Sequence, residues 1–274
     1  MIIKTLVEDT TQIKDLKSEH GLSLYIETEG VKILFDSGAS GLFFENAKKM
    51  DIDIKDIDYA VISHGHNDHG GGLEKFLEEN NKADVFLHES AFDNHYSMRD
   101  GQMINIGLDP VLKDNKRLVF VKGRFFIWKC IEVFSDVEIT KPLPSSNSNL
   151  YAEDQGNIIL DNFNHELNLA ICEDGKYFLF TGCAHNGIMN IMEYFKKTRG
   201  NMPDFVVGGL HLESRTRHVS KDDPFMKELS EYMMASKAVF YAGHCTGTQA
   251  FDILEDVLRQ NIHYLSTGQE IYIN

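Results

Sequence analysis

The chain is 274 residues long, which allows one large domain or two small ones. Its hydrophobic share of 42% and charged share of 25% are those of an ordinary folded protein and argue against disorder, collagen-like repeats and coiled-coil rods. The formal net charge of −15 repels phosphate backbones and anionic lipid heads, so we expect no nucleic acid polymer and no membrane as a partner.

Hydropathy and cysteine spacing indicate a cytoplasmic protein. No stretch approaches the about 18 apolar residues of a membrane span, and the N-terminus becomes acidic before a signal-peptide core can form. Cys130, Cys172, Cys183 and Cys245 are widely separated and form no C-x-x-C pair. This spacing is typical neither of a disulfide framework nor of a zinc ribbon. We therefore expect reduced thiols and a cytoplasmic location.

Two halves of the chain show a similar order of predicted elements. In the first, β-rich runs over residues 22–27 and 31–35 flank a turn at Glu29-Gly30, followed by a helix over 43–50 and a buried strand over 59–62. The second half predicts strands over 167–172, 177–180, 205–207 and 239–241, with helices over 188–197, 224–234 and 248–260. Such alternation predicts an α/β fold of two mixed sheets, packed face to face with helices outside.

Residues 91–160 interrupt this pattern. They contain an aromatic run, Phe125-Phe126-Ile127-Trp128, and a polar run over residues 142–149. The aromatic run fits an antiparallel edge hairpin, and a lid that lines a substrate pocket is the alternative. We predict a single domain over residues 1–274, with an inserted, lid-like region around 91–160.

The motif His64-x-His66-x-Asp68-His69 predicts a metal site. It follows the buried strand over 59–62 directly, and a loop leaving a strand end can aim His64 and His66 at one ion and Asp68 and His69 at another. Imidazole and carboxylate ligands suit zinc, iron or manganese, and a bound ion lowers the pKa of water to near 7. The alternative is a surface histidine cluster that binds no ion.

This motif resembles the metallo-β-lactamase superfamily. Asp36-Ser-Gly38 precedes the motif, at the end of an earlier predicted strand. Further landmarks follow the motif in order, so that the resemblance covers nearly the whole chain: Thr181-Gly-Cys183-Ala-His185, Gly208-Gly-Leu-His211 and Gly243-His244-Cys245-Thr246-Gly247. With His20-Gly-Leu-Ser23, they are similar to the subgroup that includes the dihydropterin ribofuranosylaminobenzene 5′-phosphate synthases. The resemblance implies an αββα sandwich with a dinuclear metal site at one edge of the sheets.

The later landmarks supply the remaining candidate ligands. His185 and His244 each follow a predicted strand, and the central hypothesis is that His64, His66 and His185 hold one divalent ion while Asp68, His69 and His244 hold the other. Zinc is the first expectation, with iron or manganese as alternatives. Cys183 stands where many superfamily members have a bridging aspartate, so it is either a ligand or a packed core cysteine.

For several other polar residues, the sequence leaves alternative roles open. The resemblance implies that Asp36 braces the metal loop, and a simple turn aspartate is the alternative. His211 is a ligand, a substrate contact or a proton donor, and Asp68 is a second candidate for proton transfer. His165 is a further candidate ligand, although it lacks the usual proline and glycine turn. His20 and Ser23 become site candidates only through the resemblance.

The predicted function is catalysis on a small, phosphorylated or pterin-like substrate. The subgroup resemblance implies condensation of a pterin methyl diphosphate with an aminobenzene ribose phosphate, with release of diphosphate. Hydrolysis of a small phosphodiester, ester or lactone is the alternative, and a non-catalytic binding protein is the third. A diiron reductase of this fold is disfavoured, because such a protein would carry a glutamate in place of His66 and an appended flavin domain. The sequence leaves open whether the chain forms a homo-oligomer.

Overall fold

The chain alternates strands and helices, as seen in a computed structural model that describes residues 1–214 and 217–273. The strands of the first half are β1 (Ile2–Val7), β2 (Ser23–Thr28), β3 (Val31–Phe35), β4 (Tyr59–Val61), β5 (Asp84–His88), β6 (His95–Arg99), β7 (Gln102–Asn105) and β8 (Leu118–Val121). Those of the second half are β9 (Arg124–Trp128), β10 (Ile131–Phe134), β11 (Leu150–Asp154), β12 (Asn157–Leu160), β13 (Asn168–Glu173), β14 (Lys176–Thr181), β15 (Phe205–Gly208), β16 (Val239–Ala242), β17 (Ile262–Tyr264) and β18 (Glu270–Tyr272).

Helices fill the connections between these strands. The α-helices are α1 (Leu42–Lys49), α2 (Asn67–Gly70), α3 (Leu73–Glu79), α4 (Ile188–Arg199), α5 (Pro224–Ser236) and α6 (Thr248–Leu258). Short 3-10 turns lie at Ile54–Asp56, Pro110–Asp114, Ser145–Asn149, His244–Thr246 and Arg259–Asn261. Within the described ranges, no helix has the length and apolar character needed to cross a bilayer.

The strands form two large sheets and a small one. The N-terminal sheet has the order β18-β1-β2-β3-β4-β5-β8, the C-terminal sheet has the order β17-β16-β15-β14-β13-β10-β9, and the small sheet has the order β12-β11-β6-β7. Both large sheets are mixed: β3, β4, β5 and β8 run parallel in one, as do β14 to β17 in the other. The carboxyl ends of β4, β14, β15 and β16 carry the candidate site, which is the usual place for a binding site in open α/β sheets.

The core has the layers of an αββα sandwich, which confirms the predicted fold class. Side chains of the two large sheets pack together between them, where the rings of Phe35 and Phe180 lie 6.1 Å apart. On the outer face of the N-terminal sheet, α1 and α3 bury Phe43 and Phe76. Helices α4, α5 and α6 cover the outer face of the C-terminal sheet. Burial of apolar surface on both faces of each sheet therefore stabilises the sandwich.

The region 91–160 contains an edge hairpin and the small sheet. The aromatic run forms β9, which pairs antiparallel with β10 at the edge of the C-terminal sheet, so the edge-hairpin interpretation describes it correctly. Strands β6, β7, β11 and β12 of this region form the small sheet, and Ser97, Met98 and Arg99 of β6 line the cavity beside the candidate site. The predicted helix to residue 260 is too long, because Arg259 has a φ of 54° and ends α6 at Leu258.

A buried ion pair joins α4 to the C-terminal sheet. Arg199 pairs with Glu132 of β10, and their side chains are only 7% and 6% exposed. We expect Glu132→Gln to lower the free energy of unfolding by about 3 kcal/mol, because it leaves a buried guanidinium without its counter-charge. Urea denaturation measures the change. Glu138→Gln is the matched control, since its pair with Lys197 is exposed and is worth about 1 kcal/mol or less; equal effects of the two substitutions would contradict the prediction.

Candidate metal centre

The loop after β4 carries four of the predicted ligands, His64, His66, Asp68 and His69, the last two within the single turn α2. Its backbone lies against neighbouring segments at very short range. A Cβ on Gly65 would lie 2.4 Å from the Ala91 carbonyl oxygen, and one on Gly72 would lie 2.3 Å from the Ser37 carbonyl oxygen. Only glycine permits these approaches, so the glycines of the motif set the path of the loop.

The structure brings all seven predicted ligands to one place. Three groups of them have ligand atoms within 4.8 Å of one another: His64, Cys183 and His185; His69, Cys183 and His244; and His64, Asp68 and His69. The ring of His66 lies 4.6 Å from that of His64 and 5.0 Å from that of His185. Segments more than a hundred residues apart in sequence therefore meet at this edge of the sandwich.

Cys183 lies between two groups of candidate ligands. The first group is His64, His66 and His185, and the second group is Asp68, His69 and His244. Its Sγ is 3.1 Å from Nε2 of His69, which is itself 3.1 Å from Nε2 of His244. Asp68 completes the second group, with its Oδ2 3.4 Å from the same His244 nitrogen. Cys183 therefore belongs to two of the three groups whose ligand atoms lie within 4.8 Å of one another.

Four of the imidazole rings form a hydrogen bond at Nδ1. His69 bonds Asp36 at 2.7 Å and His244 bonds Asp9 at 2.7 Å; His64 bonds the Ser63 hydroxyl at 2.8 Å and His185 bonds Asn147 at 3.1 Å. A partner on Nδ1 fixes the orientation of each ring and directs Nε2 toward the centre, as at metal sites in general.

Buried Nε2 atoms at the centre have no hydrogen-bond partner. This holds for His64 and His185, and buried polar atoms without a partner are rare unless a ligand or ion satisfies them. The donor set of imidazoles, a carboxylate and a thiol suits zinc. The residues present therefore fit the divalent metal that the sequence predicts.

Asp36 connects the two strands that end at the site. Its Oδ1 accepts a hydrogen bond from the Ser63 amide at 2.7 Å, and its Oδ2 accepts from the Ser63 hydroxyl at 2.8 Å as well as from His69. Asp36 has a φ of 60°, a left-handed conformation that aspartate tolerates better than most residues. Ser23, from the His20-Gly-Leu-Ser23 signal, donates to the Asp36 carbonyl oxygen at 2.8 Å.

Burial sets the charge state of the first group. It lowers the pKa of His64, His66 and His185 well below the ordinary imidazole value, and neighbouring imidazoles lower it further. These rings are neutral near pH 7, which is the form that binds metals. Burial also raises the pKa of the Cys183 thiol well above its usual value, so a nearby cation is needed to make the thiolate that binds zinc.

In the second group, neighbouring charges and hydrogen bonds outweigh the effect of burial on the pKa values. Burial alone would lower the pKa of His244, but Cys245, Asp68 and Asp9 raise it well above the ordinary value. Burial likewise opposes ionisation of Asp68, yet the charges of His69 and His244 lower its pKa well below the usual range. Protons therefore compete with a metal ion at His244, and metal binding there releases one.

His211 lies beside the first group, on the wall of the cavity, with its ring 4.2 Å from that of His185. Burial and the charge of His244 lower the pKa of His211 to about 3. The Ser146 hydroxyl contacts both Nδ1 of His211, at 2.8 Å, and the carbonyl oxygen of the same residue. Because the hydroxyl has a single hydrogen, donation to the carbonyl leaves His211 Nδ1 as the donor and Nε2 free to accept a proton.

A cavity of about 720 Å³ opens on these side chains. Its walls include Asp68, Cys183, His185, His211 and His244. Among the described lining residues, Arg99 is the one lysine or arginine, whereas acidic side chains are frequent: Asp9, Asp68, Asp100 and Glu213. The volume suits a small organic molecule rather than a polymer.

Sequence reasoning missed several residues that orient the candidate ligands. Asp9, Ser63 and Asn147 each hold a ring through Nδ1, and none belongs to a recognisable motif. Asn147 falls in the polar run over 142–149, to which the sequence pattern assigns no role. His20, 65% exposed in its side chain, bonds Asp9 at 2.8 Å and lies 3.5 Å from Asp68.

The structure places His165 outside the three main groups. It lies instead with His66, His95 and Asp161 in a separate buried cluster. Its neighbour Glu166 accepts hydrogen bonds from the backbone amides of His185 and Asn186. Glu166 thus anchors the loop that carries Cys183 and His185.

We expect Asp9→Asn to weaken metal binding by about 10–100-fold, the range found when a residue that orients a ligand is lost. Asp9 accepts from both His244 and His20. Burial alone would raise the pKa of Asp9, but these hydrogen bonds outweigh it and hold the pKa well below the usual range. Competition with a chromophoric chelator measures the affinity. Asp15→Asn, at an exposed position of the same N-terminal segment, should leave it unchanged; equal affinities of both variants would refute the assignment.

Comparisons with known proteins show the family of the chain. The sequence profile described as the metallo-beta-lactamase superfamily matches residues 18–134. The chain belongs to this superfamily, as its sandwich fold and full-length relatives show.

Among its relatives, the 7,8-dihydropterin-6-methyl-4-(beta-D-ribofuranosyl)-aminobenzene-5'-phosphate synthase of Methanocaldococcus jannaschii is 29% identical, over 98% of this chain and 95% of that protein. A second protein of that organism, the uncharacterized MJ0448, is 30% identical over 99% of this chain and all of its own length. The crystal structure of Tm1679, a metal-dependent hydrolase of the beta-lactamase superfamily, superposes with a TM-score of 0.84 and 29% identity, covering 100% of this chain and 99% of that one.

Proposed function

We propose that this chain is a metal-dependent enzyme that holds two divalent ions, zinc in the first instance, and acts on a small phosphorylated substrate. One observation carries the proposal: imidazoles, a carboxylate and a shared thiol from distant segments converge on the wall of a cavity of about 720 Å³. His64, His66 and His185 would hold one ion, and Asp68, His69 and His244 the other, with Cys183 between them. When bound, the ions supply Lewis-acid stabilisation of negative charge on a phosphate leaving group.

The reaction we propose first is condensation of a pterin methyl diphosphate with an aminobenzene ribose phosphate. Full-length similarity to a synthase whose name describes such a product supports it. A bond forms between the methyl carbon and a substrate nitrogen, the carbon–oxygen bond to diphosphate breaks, and the nitrogen loses a proton. The cavity lies within the range of volumes that bind ligands of this size.

Side chains of the cavity have distinct parts in this reaction. Arg99 would bind a phosphate group, since it is the one lysine or arginine among the described lining residues. Nε2 of His211 would accept the proton from the attacking nitrogen. An amine whose lone pair is entering a new bond is strongly acidic, so the weakly basic imidazole of His211 is sufficient.

Hydrolysis of a small phosphorylated compound is the second candidate, favoured by the similarity to a metal-dependent hydrolase over the whole chain. Zinc-loaded and metal-free protein, incubated with the two condensation substrates and separately with phosphomonoesters and phosphodiesters, would separate the candidates by mass spectrometry. A condensed product with equimolar diphosphate supports the synthase, and free phosphate or alcohol supports the hydrolase. Absence of metal-dependent turnover on every substrate would contradict the proposal.

A further inference from the structure

A second group of metal-ligating side chains lies beside the candidate centre. His66, His95, Asp161 and His165 offer one ligand atom each, all within 4.8 Å of one another, and all four residues are buried. They come from separate parts of the fold. His66 belongs to the metal loop, His95 to β6, Asp161 follows β12, and His165 precedes β13.

The distances within the group match those between ligands of one small cation. Oδ2 of Asp161 is 3.2 Å from Nδ1 of His95 and 3.2 Å from Nε2 of His165. Ligands at about 2.0–2.1 Å from a tetrahedral zinc ion are separated by roughly 3.3–3.4 Å. Hydrogen bonds from imidazolium to carboxylate are shorter, about 2.7–2.9 Å. Both contacts converge on a single oxygen, as they would when an ion lies between the three atoms.

Hydrogen bonds among these residues leave a ring nitrogen of His66 unsatisfied. Its Nε2 is buried and has no partner, although the residue is only 4% exposed. The other nitrogen of His165 accepts from the Gly65 amide at 2.9 Å, and the other oxygen of Asp161 accepts from the Phe163 amide at 2.7 Å. These outer bonds orient one His165 nitrogen and one Asp161 oxygen toward the interior of the group.

Charge also favours a cation here. The Asp161 side chain is 1% exposed, and in the described part of the chain its ion-pair partners are His95 and His165 alone. A buried carboxylate requires a compensating charge or a metal. Three imidazoles and a carboxylate form a ligand set that zinc accepts.

We propose that His66, His95, Asp161 and His165 form an additional divalent-metal site, separate from the two positions around Cys183. His66 is shared by this site and the candidate centre; binding both ions displaces its remaining ring proton to solvent, so that one ring nitrogen binds each ion. The ion ties β6 and β12 of the small sheet to the metal loop. Since Ser97, Met98 and Arg99 of β6 line the cavity, the site fixes one wall of the substrate pocket.

Metal content measured on two variants tests this site. Asp161→Asn is nearly isosteric and keeps the oxygen that accepts from Phe163, and His95→Gln removes a different ligand. Each zinc-saturated variant should hold one ion fewer per chain than the wild type, as measured by plasma mass spectrometry after gel filtration. His88→Gln is the matched control, because His88 is 1% exposed and also has a buried Nε2 without a partner. It lies outside every metal-ligating group that the described residues form. This variant should hold as many ions as the wild type.

Cobalt substitution shows whether a lost ion came from this site. A cobalt ion bound by Cys183 gives a sulfur-to-cobalt charge-transfer absorption, which should persist in Asp161→Asn and His95→Gln. Unchanged metal content in both variants overturns the proposal. Loss of the ion together with that absorption also overturns it, because the cluster would then only support the main centre.

A second measurement requires no substitution. In crystals of zinc-loaded wild-type protein, anomalous scattering should give a peak between Asp161, His95 and His165. Peaks near Cys183 without one at this position would overturn the additional site while leaving the proposed function intact. Hydrogen exchange should also be slower in β6 and β12 of zinc-loaded wild type than of loaded Asp161→Asn.

Discussion

Asp68→Ala is expected to lose tightly bound metal and turnover together. Asp68 supplies the carboxylate of the second group, and its Oδ2 lies 3.4 Å from Nε2 of His244 and 3.8 Å from Nε2 of His69. Without it, two histidines and a thiol would have to hold the ion alone. We expect metal affinity and kcat to fall by at least about 100-fold, since the loss of residues that merely orient ligands already costs about 10–100-fold.

The control for this variant lies six residues further along the chain. Glu74 is exposed in the first turn of α3, so Glu74→Ala removes a carboxylate of similar charge without touching the site. Its metal content and turnover should equal those of the wild type. Undiminished metal content and activity in Asp68→Ala would reject the ligand assignment, and His66→Ala provides an independent repeat with the same expectation.

Asp36→Asn is expected to weaken metal binding strongly while leaving the fold intact. Asparagine retains the oxygen that accepts from the Ser63 amide. It places an amide NH₂ where Oδ2 of Asp36 now accepts from His69 Nδ1 and the Ser63 hydroxyl. An NH₂ group cannot accept a hydrogen bond. His69 then carries its proton on Nε2, the nitrogen directed toward Cys183 and His244.

A protonated Nε2 cannot bind a cation, so we expect metal affinity in Asp36→Asn to fall by at least about 10–100-fold. Calorimetric zinc titration measures this. Urea denaturation of the metal-free protein should show a change of about 1–2 kcal/mol at most, because the NH₂ group can donate to His69 Nδ1 and the Ser63 hydroxyl in place of the two hydrogen bonds that Oδ2 accepts. Asp36→Ala is the companion variant. This substitution also leaves the Ser63 amide without a partner in the core. Its free energy of unfolding should therefore fall by a further 1–3 kcal/mol or so. Wild-type affinity in Asp36→Asn would contradict the proposed role of Asp36.

The sequence was sufficient to predict elements with strong local patterns. Strand β3 has the predicted bounds, and α4 begins at the predicted residue, Ile188. Glu29 and Gly30 have φ angles of 49° and 78°, as the predicted turn between β2 and β3 requires. The αββα arrangement followed from the alternation of these elements and from the superfamily resemblance. Ends of helices were less certain, because α5 continues to Ser236 and α6 stops before the predicted residue 260.

Contacts between distant segments could not be predicted in the same way. The pairing of β1 with β18 joins the two ends of the chain and brings Asp9 near His244. Asn147 reaches His185 from a 3-10 turn whose polar sequence resembles any loop. His95 and Asp161 are 66 residues apart and share no motif. Residues of this kind act through positions that only the tertiary fold defines.

Anomalous diffraction from zinc-loaded crystals would locate the two ions proposed around Cys183. We expect two peaks there, about 4 Å or less apart, a separation typical of two-metal sites. One should lie within bonding distance of His64 and His185, and the other within bonding distance of His69 and His244. Fully loaded crystals with no peak within coordination distance of these side chains would contradict the proposed dinuclear centre.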